Sequence, residues 1–227
     1  MEPSASPNAT PAGLRAFLGA GVRILNPDGR PASDGDATAF NDAHAALFVL
    51  DLEMSGSNPL QHEVLEFGGV RVTLVPGLPE ESAWGTKVKP RHIGNAEIGA
   101  LKVVGYSPRA WKEALDLHAA IGRMAEIGRG AIVTGWGIGN DLAFLGESLR
   151  RAGLEWPFAT IAVDVQPIAR KLLKGTGSVD RFNLGHVADR LGIGRMGEHS
   201  ALADAYATYD VLLKLLEMPP SDAPGVA

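Results

Sequence analysis

Residues 45–53 read AALFVLDLE, an apolar run that meets two acids. A short unbroken apolar stretch is the signature of a strand buried on both faces, and Asp51 and Glu53 mark its emergence at the carboxyl end. Side chains alternate along a strand, so Asp51 and Glu53 point to one side and Leu52 to the other. Two carboxylates about 6–7 Å apart on one face repel each other unless a cation lies between them. Taken alone, a D-x-E is better explained as a polar strand end at a solvated edge.

Working outward, residues 64–74 (VLEFGGVRVTL) place Val70, Val72 and Leu74 at alternate positions, a half-buried strand, and 84–90 is expected as a third. Ser107 as N-cap with Pro108 at the first helical position predicts a helix over 107–127. Residues 131–134 (AIVT) read as a short buried strand, followed by the loop GWGIG and a helix over 140–152. A strand over 161–165 leads into another helix, and 182–191 and 200–216 read as two more. A strand meander, then alternating helices and strands, then helices, predicts an α/β fold with a mixed central sheet flanked by helices. Residues 1–43, rich in Pro, Ala, Ser, Gly and Asp, are expected as a loosely ordered N-terminal extension, with a short helix or strand within 14–25 docking on the domain. The domain itself is assigned to 44–217 and a disordered tail to 218–227.

The 227-residue chain contains no cysteine, which excludes disulfides and thiolate metal sites. Any metal must sit on oxygen or imidazole, which favours hard ions such as Mg²⁺ or Mn²⁺. The net charge is −5, and the nearest approaches to basic clusters are Arg150 with Arg151, and Arg170, Lys171 and Lys174. These read as solvated helix charges, so composition argues against a protein that grips long stretches of polyanion. No stretch has the ~18–20 apolar residues of a membrane span. The first residues lack a basic and then apolar leader, so the expected location is cytoplasmic.

Two more acidic positions stand on helices. Asp141, in GNDLAFL, opens an amphipathic helix after a strand and a glycine-rich loop, where the helix dipole alone would favour a carboxylate. That loop lacks the G-x-G-x-x-G spacing of a dinucleotide-binding turn. In EHSALADAYATYD, His199 precedes a helix capped by Ser200, and Asp204 lies on its first turn. An imidazole ahead of a helix, beside a carboxylate on it, suits a mobile base next to a fixed ligand. Each motif is weak singly; the combination carries the weight.

The order D-x-E, then a helix-starting Asp, then H-x4-D, resembles the DEDDh branch of the DnaQ-like exonucleases in the ribonuclease H-like superfamily. The resemblance runs over about residues 48–216, and the first motif, D-L-E-M-S-G, is closest to that of oligoribonuclease. It implies a ribonuclease H-like sheet and a 3′→5′ exonuclease that releases nucleoside 5′-monophosphates from single-stranded or short DNA or RNA. It implies two Mg²⁺ or Mn²⁺ ions held by Asp51, Glu53, Asp141 and Asp204, with His199 as general base. Leu52, Met54, Ser55, Trp136 and Asn140 are the implied substrate contacts, and Asp164 is read as structural. The sister branch uses Y-x3-D, matched by Tyr206 and Asp210, but Ala201 and Ala203 around the histidine motif fit the histidine branch better. A catalytically silent nucleic-acid-binding module is the rival reading, and a lost carboxylate would be its mark. Some relatives dimerise to bring basic residues to the partner's site, so a homodimer is a further expectation.

Overall fold

The computed structural model describes residues 8, 10–173, 182–194 and 200–218. The predicted first core strand is the middle of the fold. It is β3 (Ala46–Met54), flanked on one side by β4 (Val64–Thr73) and β5 (Glu80–Lys87) in an antiparallel meander. On its other side, β6 (Ile132–Gly135) and β7 (Ile161–Asp164) run parallel to it. The alternation read from the sequence divides the core. Leu47 and Val49 join Val70 and Val72 in one apolar layer; Phe48, Leu50 and Leu52 join Phe67 in the other.

The first layer is covered by α5 (Val165–Leu173), α6 (Leu184–Arg190) and α7 (Ala201–Glu217), and the second by α3 (Leu117–Ile127) and α4 (Gly139–Ala152). This is the expected mixed sheet between helices. Among the described residues no helix is long and apolar enough to cross a membrane.

Two expectations need correction. The segment before residue 44 is not loosely ordered where it is described. Thr10 caps α1 (Pro11–Leu18) by accepting from the Gly13 amide, and Leu14 and Leu18 are fully buried in the first layer. The chain then forms β1 (Val22–Leu25), which pairs antiparallel with β7, and β2 (Pro31–Asp34), which pairs with β1, giving a seven-stranded sheet in the order β2-β1-β7-β6-β3-β4-β5. The proposed tail begins at residue 218, and all of it beyond Met218 lies outside the described residues.

The helix expected over 107–127 starts only at Leu117. Asp116 is its N-cap, accepting from the Ala119 amide, whereas the Ser107 hydroxyl accepts from Ala110 in a separate turn. A short helix not anticipated, α2 (Ile98–Val104), precedes it and ends on Gly105 in the left-handed region. Trp111 closes this insertion by burying its ring beside Leu65 and Val104 and donating from Nε1 to the Leu65 carbonyl.

Candidate active site

The carboxyl end of β3 carries Asp51 and Glu53 toward the α7 side, and the first turn of α7 brings Asp204 down onto them. Carboxylate oxygens of these three residues all lie within 4.8 Å of one another. Their approach depends on β4. Gly68 is the cross-strand partner of Asp51, and a methyl group there would meet the Ala201 carbonyl carbon and the Leu202 nitrogen at 2.1 Å. The missing side chain therefore lets the start of α7 sit directly on the sheet. That contact, and not a backbone angle, is the reason for this glycine.

Asp141 arrives from the other layer. It lies in the first turn of α4, where that helix begins at the carboxyl edge of the sheet, and its Oδ1 accepts from the Leu52 amide at 3.1 Å. The loop before α4 is fixed by Asp164: its Oδ1 accepts from the Gly137 amide at 2.9 Å and from the Gln166 amide at 3.0 Å, with Arg23 of β1 3.5 Å from its Oδ2. Asp164 thus has the structural part expected of it.

A fifth carboxylate, Glu66, was not anticipated. It is the cross-strand partner of Glu53, is buried, and accepts from the Ser200 hydroxyl at 2.9 Å. Ser200 is the N-cap of α7, but its hydroxyl makes no cap bond; it is turned to Glu66 instead. Glu66 therefore fixes where α7 begins, one turn before Asp204. A charged residue in phase with the alternating Val70 and Val72, two positions before a glycine, was the signal available in the sequence.

The electrostatics are those of an acidic cage. Among the described residues, no Lys or Arg forms an ion pair with Asp51, Glu53, Asp141 or Glu66. Burial, and then the charges of Asp141, Asp204, Glu53 and Glu66, hold the Asp51 carboxyl well above the usual range. Burial and the charges of Asp204, Glu66 and Asp141 push Glu53 up to about 7. Asp141 is also pushed up to about 7, chiefly by burial, against the amide hydrogen bonds that favour its ionised form. A cluster of hard oxygen donors that resists ionisation is suited to a divalent cation, which would relieve both the repulsion and the proton affinity.

The other expected positions divide. Met54 and Asn140 meet at the rim, Asn140 Nδ2 donating to Met54 Sδ at 3.6 Å. Ser55 does not offer its side chain to a ligand: it is buried, and its hydroxyl accepts from the Glu63 amide at 2.8 Å to close the β3–β4 loop. The Leu52 side chain is buried in the second layer, and the residue serves the site through its amide. Trp136 packs half-buried against the first layer, with its Nε1 without a hydrogen-bond partner among the described residues. The Tyr206 hydroxyl reaches Glu80 on β5 at 3.1 Å, which draws it to the far edge of the sheet. His199 lies outside the described residues.

A mixed sheet whose central strand ends in paired carboxylates, met by acids from two helix starts, defines the ribonuclease H-like class. Within it, the chain belongs to the RNase_T exonuclease family, whose model matches residues 48–212. It is 28% identical over 210 residues to a PolC-type DNA polymerase III of Thermotoga maritima, covering 91% of this chain and 14% of that protein. A putative bifunctional exonuclease/endonuclease protein of Mycobacterium tuberculosis is 26% identical over 175 residues, covering 74% of this chain and 26% of its own length. The chain thus spans only a small part of these relatives. E. coli exonuclease I in complex with a dT13 oligonucleotide shares the fold, with a TM-score of 0.64 at 18% identity over 77% of this chain and 41% of that one.

Proposed function

We propose that the chain is a two-metal-ion 3′→5′ exonuclease that hydrolyses the terminal phosphodiester of a single strand and releases nucleoside 5′-monophosphates. The observation that carries this reading is the meeting of Asp51, Glu53 and Asp204 within 4.8 Å, with Asp141 close enough to raise the Asp51 proton affinity. Asp51, Glu53 and Asp204 would hold one Mg²⁺ or Mn²⁺, and Asp51 with Asp141 the other. Bound there, divalent ions supply an activated water and neutralise charge on the phosphoryl and leaving oxygens.

The chain's own residues do the rest. The Leu52 amide fixes Asp141, and Glu66 fixes the start of α7 through Ser200. His199, the residue before Ser200, takes the proton of the attacking water; a neutral imidazole is the side chain best matched to that task near pH 7. Met54 and Asn140, in contact at the rim, form the floor for the terminal nucleotide. Single-stranded DNA is the first substrate to test, because one of the relatives is a DNA polymerase by name and the related structure holds an oligodeoxythymidine.

The test uses 5′-labelled DNA and RNA single strands with Mg²⁺ or Mn²⁺, beside EDTA and an Asp51→Asn control. The expected products are ladders shortened one nucleotide at a time from the 3′ end, lost with EDTA and in the variant. Degradation that survives EDTA would exclude the metal mechanism. Binding without cleavage would support the silent module.

A further inference from the structure

We propose that a cavity on the α4 side of the sheet binds the phosphate backbone of the substrate strand several nucleotides upstream of its 3′ end. The cavity is about 730 Å³ and lies between the β3–β4 loop, the segment after β5, the start of α3 and the end of α4. Arg91, His92, His118, Arg150 and Arg151 line it, with Leu60 at its mouth. In a chain of net charge −5, this is a local concentration of cationic and imidazole groups.

The two carboxylates in the wall do not cancel it. Glu63 is turned inward and accepts from the Arg91 and His92 backbone amides, leaving its side chain 13% exposed under a His92 side chain that is 68% exposed. Glu147, 5% exposed, is shared by two arginines: Arg150 donates from Nε and Nη2 at 2.7 Å and Arg151 from Nε at 2.8 Å. One acid beneath two guanidiniums leaves a net positive charge, and the Arg150 side chain stands 68% exposed above it. Ordinary surface ion pairs put both partners in water. Here the acids are at the base and the cations at the opening, the arrangement that receives an anion.

Position argues for a strand and not a free phosphate. Asn140, Glu147 and Arg151 fall on one stripe of α4, and the β3–β4 loop lies along that stripe. Met54 touches Asn140 at one end; at the other, Arg151 donates to the Pro59 carbonyl at 2.6 Å and to the His62 carbonyl at 2.9 Å. At 1.5 Å per residue, the 7 to 11 residues that separate Asn140 from Glu147 and Arg151 put the cavity about 10–16 Å from the rim of the carboxylate cage, or about three to five stacked nucleotides at ~3.4 Å each. Leu60, 68% exposed beside the cavity, is an apolar surface for an unpaired base.

The site rests on the reading that the chain acts on a nucleic-acid strand, and the test keeps the two apart. Arg91→Ser with Arg150→Ser removes two cations and leaves Arg151 on Glu147. Affinity for a labelled single-stranded 12-mer is measured by anisotropy in EDTA over a salt series, and dinucleotide hydrolysis is measured with Mn²⁺. The double variant is expected to bind the 12-mer ~10-fold or more weakly. Its salt slope should fall by ~1.4, the value for two lost single-strand phosphate contacts. Dinucleotide turnover, too short to reach the cavity, should stay within twofold.

Equal losses at both lengths, or none at either, would overturn the site. So would wild-type 12-mer binding that inorganic phosphate or AMP displaces at micromolar concentration. Binding of the 12-mer that depends on these arginines, in a chain without nuclease activity, would retain the site and sink the catalytic reading. Cleavage with unchanged length dependence would do the reverse. Arg91→Ser alone, on an exposed loop residue, repeats the test if the double variant melts early.

Discussion

Gly68→Ala tests how tightly the cage depends on the seating of α7. The new methyl group would stand 2.1 Å from the Ala201 carbonyl carbon and the Leu202 nitrogen, and ordinary contact begins near 3.4 Å. About 1.3 Å must therefore be found between β4 and α7, and the atoms that must yield are backbone on both sides. β4 is held by β3 and β5 on its two edges, so the first turn of α7 is the part that moves. Asp204 rides on that turn.

A metal site tolerates shifts of only ~0.2 Å in its ligand distances, and a misplacement of ~1 Å costs about 10²-fold in rate. The expected result is a kcat for 3′-terminal release down ~10²-fold with a raised Mn²⁺ requirement. The fold should survive, since overpacking costs ~1–3 kcal/mol against a usual stability of ~5–15. Gly122→Ala is the control: its helical position has nothing within 4 Å of an added methyl group, so activity should be unchanged. A Gly68→Ala protein with kcat within threefold of wild type would refute the coupling, and an unchanged melting temperature as well would refute the contact itself.

The remaining expectations concern charge and packing. Asp51→Asn removes the carboxylate most burdened by its neighbours, so it should abolish hydrolysis yet raise the melting temperature of the metal-free protein; a lower metal-free melting temperature would contradict the repulsion. Because Glu53 moves from 4.5 and Asp141 from 3.8 up to about 7 on folding, folding favours their protonated forms. Their contribution is present below pH ~4 and lost as pH rises through about 7, so the metal-free protein should melt lower at pH 8 than at pH 5, and saturating Mg²⁺ should reduce that difference by binding the ionised cage. Calorimetry showing the opposite slope would refute the assignment. Glu66→Ala should lower kcat ~10-fold or more by releasing Ser200, while Glu66→Gln, which can still accept from the hydroxyl, should recover most of it; equal loss in both would point to the charge. Leu14→Ala, in a fully buried position before the family match, should cost ~2–5 kcal/mol by denaturant unfolding, and a negligible cost would restore the loose-extension expectation.

The central strand, its acids and the helix-borne aspartates were legible because each is a local pattern: an apolar run ending in D-x-E, or an acid opening an amphipathic helix. What escaped was non-local. β1 finds its partner in β7, and no pattern within residues 22–25 announces a strand so far along the chain. The Pro- and Gly-rich composition around it suggested looseness, although Leu14 and Leu18, four apart, already sketched a buried helix face. Ser107-Pro108 carried the right residues for a helix start, but the hydroxyl closes only a turn and Asp116 makes the cap. Ser55 shows the limit for site residues: its place after D-L-E-M suggested a contact, and only the loop's return to Glu63 reveals that its hydroxyl is already engaged.

The hairpin of β1 and β2 also bears on how copies of this chain can meet. Without it, β7 would present an open row of amides and carbonyls, a template on which another strand could add. With it, the outermost strand is β2, four residues long, wholly exposed, opening on Pro31 and ending on Asp34. A proline that cannot donate and an acid at the margin make a poor docking rail. Self-association by extension of the sheet is therefore disfavoured on this flank, which leaves a helical face or the β5 side to a homodimer.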